Sequence, residues 1–197
     1  MSISYPISPP STPAPVTQTW SIDRRTGVSQ SPFTGVEQTV EFGFRKWKAV
    51  VTLPPMNKAT ASGWISFYTK LHGRRGTFFL GDADRKTPRG SVSGTVTLNT
   101  ATAIGDTVIT IAGTTGFKEG DMIQIGSASA SRLHMVVADQ SSASIQIEPA
   151  VKAVFAQSTP ITYTNPVGIF RMDSDILSWD TNVVSNYGIS FSCTEVD

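Results

Sequence analysis

Residues 44–88, FRKWKAVVTLPPMNKATASGWISFYTKLHGRRGTFFLGDADRKTP, constrain the fold more than any other stretch, because they hold the one convincing helix in a chain otherwise patterned for strands. Trp47, Ala49, Val51 and Leu53 alternate with Lys46, Lys48, Val50 and Thr52, the period of two that sets one face of a strand on a core. Pro54 and Pro55 stop that strand, since neither can donate to a ladder. Asn57 is then placed to cap a helix, on which Trp64, Phe67, Tyr68 and Leu71 fall at i, i+3, i+4 and i+7 and so share one face. Gly73 is expected to close it in the left-handed conformation usual after a helix. Burying each of those four side chains is worth about 1.5–3 kcal/mol, and in a chain of strands only a sheet can cover them. The expectation is a mainly β protein with one α-helix lying on its sheet.

The rest of the chain divides by texture. Residues 1–19 carry five prolines, which favour extended backbone and cannot build a core; they are expected to be either a loose tail or an arm ordered along a neighbouring subunit. From Trp20 to Phe44 the pattern is β, with a turn at Ser31-Pro32 and Gly35. Val36, Gln38, Val40, Phe42 and Phe44 share one parity, whereas the apolar positions after them take the other. An alternation cannot change parity without an extra residue or a turn, so a bulge or tight reversal is expected between Gly43 and Lys46.

Between residues 93 and 164 the only aromatics are Phe117, Phe155 and Tyr163, while all four tryptophans lie in the flanks. Six short β-runs punctuated by Gly and Asp turns predict a small barrel there. The final Tyr187, Ile189, Phe191, Cys193 alternation predicts a half-buried strand whose large apolar partners lie in the front of the chain. The predicted organisation is an arm at 1–19, a discontinuous β-domain of 20–92 and 165–197, and an inserted small β-barrel at 93–164.

Charged residues are 16% of the chain and the net charge is +1, against about 25% charged in an average domain. That leaves no long-range field for nucleic acid or an anionic membrane and suits a surface covered by protein neighbours. No apolar run reaches the roughly 18 residues of a membrane span, and MSISYPISPPSTPAP has neither the basic start nor the apolar stretch of a signal peptide. The single cysteine, Cys193, allows no intrachain disulfide and reads as a small buried hydrophobe.

Chemistry-bearing patterns are weak. His72 and His134 are the only histidines, too far apart for a local ligand pair or triad; His72 falls at the last helical turn and His134 in a barrel strand, both structural positions. Asp82-x-Asp84 and Asp173-x-Asp175 read as turn carboxylates, outside any calcium-loop pattern. No GxSxG elbow, phosphate loop or dinucleotide fingerprint occurs. The reading is of a non-enzymatic protein with no catalytic residues, no metal and no cofactor. Arg74, Arg75, Arg85, Lys86 and Arg89 form a basic stretch. It could face nucleic acid or pair across a subunit boundary, and the lack of further charge or interleaved exposed aromatics favours the boundary.

Leu71-His-Gly-Arg-Arg-Gly-Thr-Phe-Phe-Leu-Gly-Asp followed by Lys86-Thr-Pro-Arg-Gly, with the GFKEGDMIQIG turn and the terminal YGISF, resembles minor tail proteins of long-tailed phages and prophages, a distal tail or tail-tip group. The resemblance covers most of the chain beyond Trp20. It implies a tail-tube-like β-sandwich or split barrel with one flanking helix, assembled as a homo-oligomeric, hexameric ring that joins the tail tube protein to tail-tip hub proteins in the virion, after synthesis in the host cytoplasm. It implies no membrane insertion and no sequence-specific nucleic acid. Here the extra barrel is inserted, where the common arrangement appends it. A second reading is a host-surface glycan-binding module, for which Phe155 and Tyr163 are the barrel's aromatic candidates; a tail-associated hydrolase is the weakest, for want of a nucleophile and base.

Overall fold

The computed structural model describes residues 3–113, 116–182 and 186–196, and of Phe44 only the backbone. Its elements in chain order are β1 (Thr17–Gln30), β2 (Glu37–Thr52), α1 (Lys58–Leu71), β3 (Phe78–Leu80), β4 (Val96–Leu98), β5 (Val108–Ala112), β6 (Met122–Ile125), β7 (Arg132–Val136), β8 (Ser144–Glu148), β9 (Pro160–Thr162), β10 (Gly168–Met172), β11 (Asp180–Thr181), β12 (Tyr187–Gly188) and β13 (Ser190–Glu195). The protein is mainly β with one α-helix, as the periodicities predict.

Five strands form a sheet in the order β1-β2-β13-β10-β3, so the two ends of the chain share it. The terminal strand lies beside β2, with Phe191 opposite Val51 and Cys193 opposite Ala49. One face of this sheet carries Trp47, Ala49, Val51, Phe170, Phe78, Phe191 and Cys193, all buried. Onto it α1 sets Ala61, Trp64, Phe67, Tyr68 and Leu71. The rings interlock edge to face, Phe67 on Phe78 at 5.6 Å and Phe78 on Phe191 at 6.1 Å between centroids. Contacts of that kind add about 0.5–1.5 kcal/mol each to simple burial.

The helix begins where its sequence says it should, with Asn57 Oδ1 accepting from the Thr60 amide at 3.0 Å. Its left-handed exit starts one residue early. His72 already has φ +50 and Gly73 follows at φ +65; a side chain at Gly73 would run into Asp175. His72 thus ends the helix through its backbone.

The six short runs close into a barrel in the order β4-β5-β8-β7-β6-β9. Its interior is a separate apolar core of aliphatic residues with Phe117 and Phe155. Met122 and Leu133, although on barrel strands, belong to the sheet's core, and Trp47 Nε1 donates to the Leu133 carbonyl at 3.0 Å. Sheet and barrel therefore share an apolar wall.

The proline-rich N-terminal stretch follows neither of its two expectations. It lies along its own chain and covers the outer edge of β3. The Ile7 amide donates to Thr77 O and the Phe79 amide to Ile7 O, at 3.0 and 3.1 Å. Tyr5 Oη donates to Lys70 O and Trp64 Nε1 to Thr12 O. Prolines cannot donate, but Ile7 and the carbonyls between them can still pair, which closes an edge that would otherwise invite another strand.

Candidate functional site

The feature that the core does not explain is the β1–β2 hairpin. β13 pairs with β2 only from Lys48 to Thr52, so the ribbon beyond that point runs on as two strands alone. Two-stranded ribbons are marginal in water without something to lean on. At its root, Arg24 pairs with Arg45 across the ladder, but Arg25 pairs with Phe42. Gly43 and Phe44 have no opposite number, which is the bulge expected from the parity change.

The bulge does not bring the second apolar set into the core. Two inserted residues leave parity unchanged, and successive β1 residues alternate faces. Phe42 and Val40, paired with Arg25 and Gly27, thus lie on the side away from Trp47. The Phe42 ring rests over Gly27, where a Cβ would sit 3.1 Å from its edge, and is still 56% exposed. Val28, Val36 and Val40 are also exposed, and Phe33 at the tip is 95% exposed. The side chain of Phe44, counted in the same set, lies outside the described residues.

Charge gathers at the root of this arm. A cleft on the outer sheet face is lined by Arg25, Lys46, Lys48, Arg74 and Arg171, with Asp23, Asp173 and Glu195 as its acids. Lys48 Nζ sits 2.7 Å from Asp23, and that hydrogen bond holds the Asp23 carboxyl below its ordinary pKa. On the core side, Glu148 of β8 takes Arg45 at 2.9 Å and Arg24 at 3.4 Å. The arm's base is tied to the barrel.

A second polar seam joins barrel to sheet nearby. Glu195, almost wholly buried at the end of β13, accepts from Lys152 Nζ and from the Trp47 amide. Burial pushes its carboxyl pKa up, and Lys152 pulls it back. His134 is also buried; its Nδ1 donates to Pro149 O at 2.7 Å while Nε2 has no partner. Burial, seconded by the positive Lys152 and Arg132, holds its pKa down to about 4 against the pull of that hydrogen bond. An unfolded histidine titrates near 6.5, so between about 6.5 and 4 the unfolded chain binds the proton first and stability falls as pH falls. The loss over that window is about 3 kcal/mol. Glu195, with its raised pKa, works in the opposite sense, but it is common to both chains in a comparison with His134→Gln. Urea unfolding at pH 7 and pH 4.5 should show the wild type losing about 2–3 kcal/mol more than the variant; parallel losses would contradict the assignment.

The basic residues singled out from sequence separate. Arg74 and Arg75 are exposed on a short 3-10 turn after α1, where Asp175 Oδ1 accepts from the Arg74 amide at 2.7 Å. Arg85 reaches Asp82 at 3.8 Å and the Met135 sulfur at 3.8 Å, Lys86 O accepts from the Asn165 amide, and Arg89 donates to Glu119 O and Asp121 Oδ1. Those three hold the 81–95 loop to the rest of the chain. Trp64, Phe67, Tyr68 and Leu71 are core, as expected. Phe155 is buried, and Tyr163 stands edge-on to the buried Phe117 with its hydroxyl donating to Gly94 O.

Cys193 is buried with its thiol pKa pushed up by burial, its Sγ directed at Ala49 O. Among the described residues no three His, Cys, Asp or Glu side chains gather as a metal site, and no helix is long and apolar enough to cross a membrane. The basic cleft was only half legible: Arg74 stood out, but Arg25, Lys46 and Arg171 come from three strands whose adjacency no local motif records. No family model matches the chain, and no curated protein does.

Proposed function

We propose that this protein is a non-enzymatic ring subunit of the tip of a long phage tail, joining tail tube to tip in the virion. One observation carries the reading: a long two-stranded arm, apolar on the face turned away from its own core, runs on beyond the sheet, and no strand among the described residues covers that face. Exposed apolar patches of this kind mark interaction surfaces.

The two sheet edges support it. β3 is closed by the N-terminal stretch, whereas β1, fourteen residues long, has no strand on its outer side among the described residues. An open edge of that length is a template for another chain, and closed cyclic symmetry leaves none unpaired. Each subunit would offer the arm and the β1 edge to its neighbour, with Arg74 and Arg75 at the boundary. The low charge of the chain fits a surface spent largely on protein neighbours, and the tail-protein resemblance gives the setting: a homo-oligomeric, hexameric ring between the tail tube protein and the tip hub.

Negative-stain electron microscopy of the purified chain should show annular particles. The double variant Arg74→Glu/Arg75→Glu should remain a folded monomer and form none. Intact rings from that variant would refute the two arginines as boundary contacts, and particles of single subunits from the wild type would refute the ring.

A further inference from the structure

The arm ends in a built knob. Ser31 Oγ accepts from the amides of Phe33 and Thr34, at 3.4 and 3.3 Å, and the Gly35 amide closes on Ser31 O at 2.9 Å, with Gly35 at φ +70. This turn fixes the backbone that presents Phe33 to solvent, which leaves little main chain to order on binding.

At the other end of the same sheet lies a hole. Beneath the proline-rich stretch is a pocket of about 290 Å³ lined by Pro9, Pro13, Trp64, Leu80 and Phe191, with Ala83 exposed at its mouth. The indole N–H of Trp64 is already taken by Thr12 O, so the apolar wall of the pocket is ring and proline faces, with Gln18, Asp82, Lys86 and Asn165 as polar lining. Its volume falls just below the roughly 300–1,000 Å³ of small-molecule sites, which suits one aromatic side chain better than a ligand.

A chain cannot fill its own pocket. The cavity abuts Val51, and the ladder from the Gln30–Glu37 pair to the Gln18–Val51 pair runs 30 − 18 = 12 steps along β1, about 40 Å at 3.3 Å per residue, with Phe33 farther out still. We infer that Phe33 of one copy seats in the pocket under the proline-rich stretch of the next. Knob and hole lie on different parts of the surface, so the contact is head-to-tail: each copy gives one and receives one, as a closed ring requires. The inference rests on the ring reading and adds to it which surfaces meet.

The test uses full-length chains carrying Thr34→Cys, beside an intact Phe33, or Ala83→Cys; the native Cys193 is buried and silent. Mixed at a concentration where the wild type assembles by light scattering, the two should be joined into a dimer by a short bismaleimide. Neither alone should cross-link, and Phe33→Asp added to the Thr34→Cys chain should abolish the product. Assembly of the wild type without that cross-link, or cross-linking of the Thr34→Cys chain to itself, would overturn the inference and leave the ring standing. A wild type that stays monomeric would overturn both.

Discussion

Replacing residues 25–44 by an Asn-Gly turn should leave a folded protein that no longer assembles. No described residue of the excised ribbon belongs to either apolar core, and the rung below it, Arg24 with Arg45, keeps its anchor on Glu148. Asn-Gly is the preferred two-residue hairpin turn, so the shortened strands close without strain. Thermal unfolding of the variant should fall within a few degrees of the wild type, since a surface change away from core and caps moves stability by about 0.5 kcal/mol or less. Its solution mass should be that of one subunit at every concentration. If the shortened chain unfolded, the arm would be part of the folding unit; if it still formed rings, assembly would run through other surfaces.

The second large effect is expected at the seam between barrel and sheet. Lys152→Met removes the cation seen bonded to the Glu195 carboxylate among the described residues, and that carboxylate's side chain is 1% exposed. Breaking a buried pair by deleting one partner costs about 3–5 kcal/mol, because the remaining charge has lost both water and its counter-ion. The double variant Lys152→Met/Glu195→Gln should recover most of that. Glutamine keeps an oxygen for the Trp47 amide, and replacing both members of a buried pair by uncharged groups is often close to neutral. Urea unfolding measures both. A single variant within 1 kcal/mol of the wild type would mean that water reaches Glu195 and that the seam is not dry.

Much of this architecture was written in local pattern. The helix could be read from Asn57, Trp64, Phe67, Tyr68 and Leu71 because a helical face is a property of neighbours in sequence. The six barrel strands and the terminal strand could be read because each is a short alternation between turn residues. The position of the bulge followed from the parity change between Phe42 and Trp47. What that change could not tell is how many residues the bulge contains, and the count decides the outcome. One inserted residue would have turned Phe42 and Val40 to the Trp47 side of the ribbon; two leave them on the other.

The assembly surface was harder to read for a related reason. Periodicity shows that Val36, Val40 and Phe42 share a face, but whether that face is covered depends on which strands come alongside, and β13 stops at Lys48. The fate of the N-terminal stretch depends likewise on the free edge of β3, more than seventy residues away. The arginine pattern mixed two roles, because a guanidinium that ties a loop to its own barrel, as in Arg85 and Arg89, has the same sequence signature as one left exposed, as in Arg74 and Arg75.

The measurement that bears most directly on the arm as an assembly device is the mass of the unmodified protein in solution as its concentration is raised, by sedimentation equilibrium or light scattering. A subunit built to be tiled should pass from monomer to one discrete closed multiple and gain no mass beyond it. A mass that stays at one subunit up to the solubility limit would mean that the exposed ribbon has no partner in a second copy of the chain.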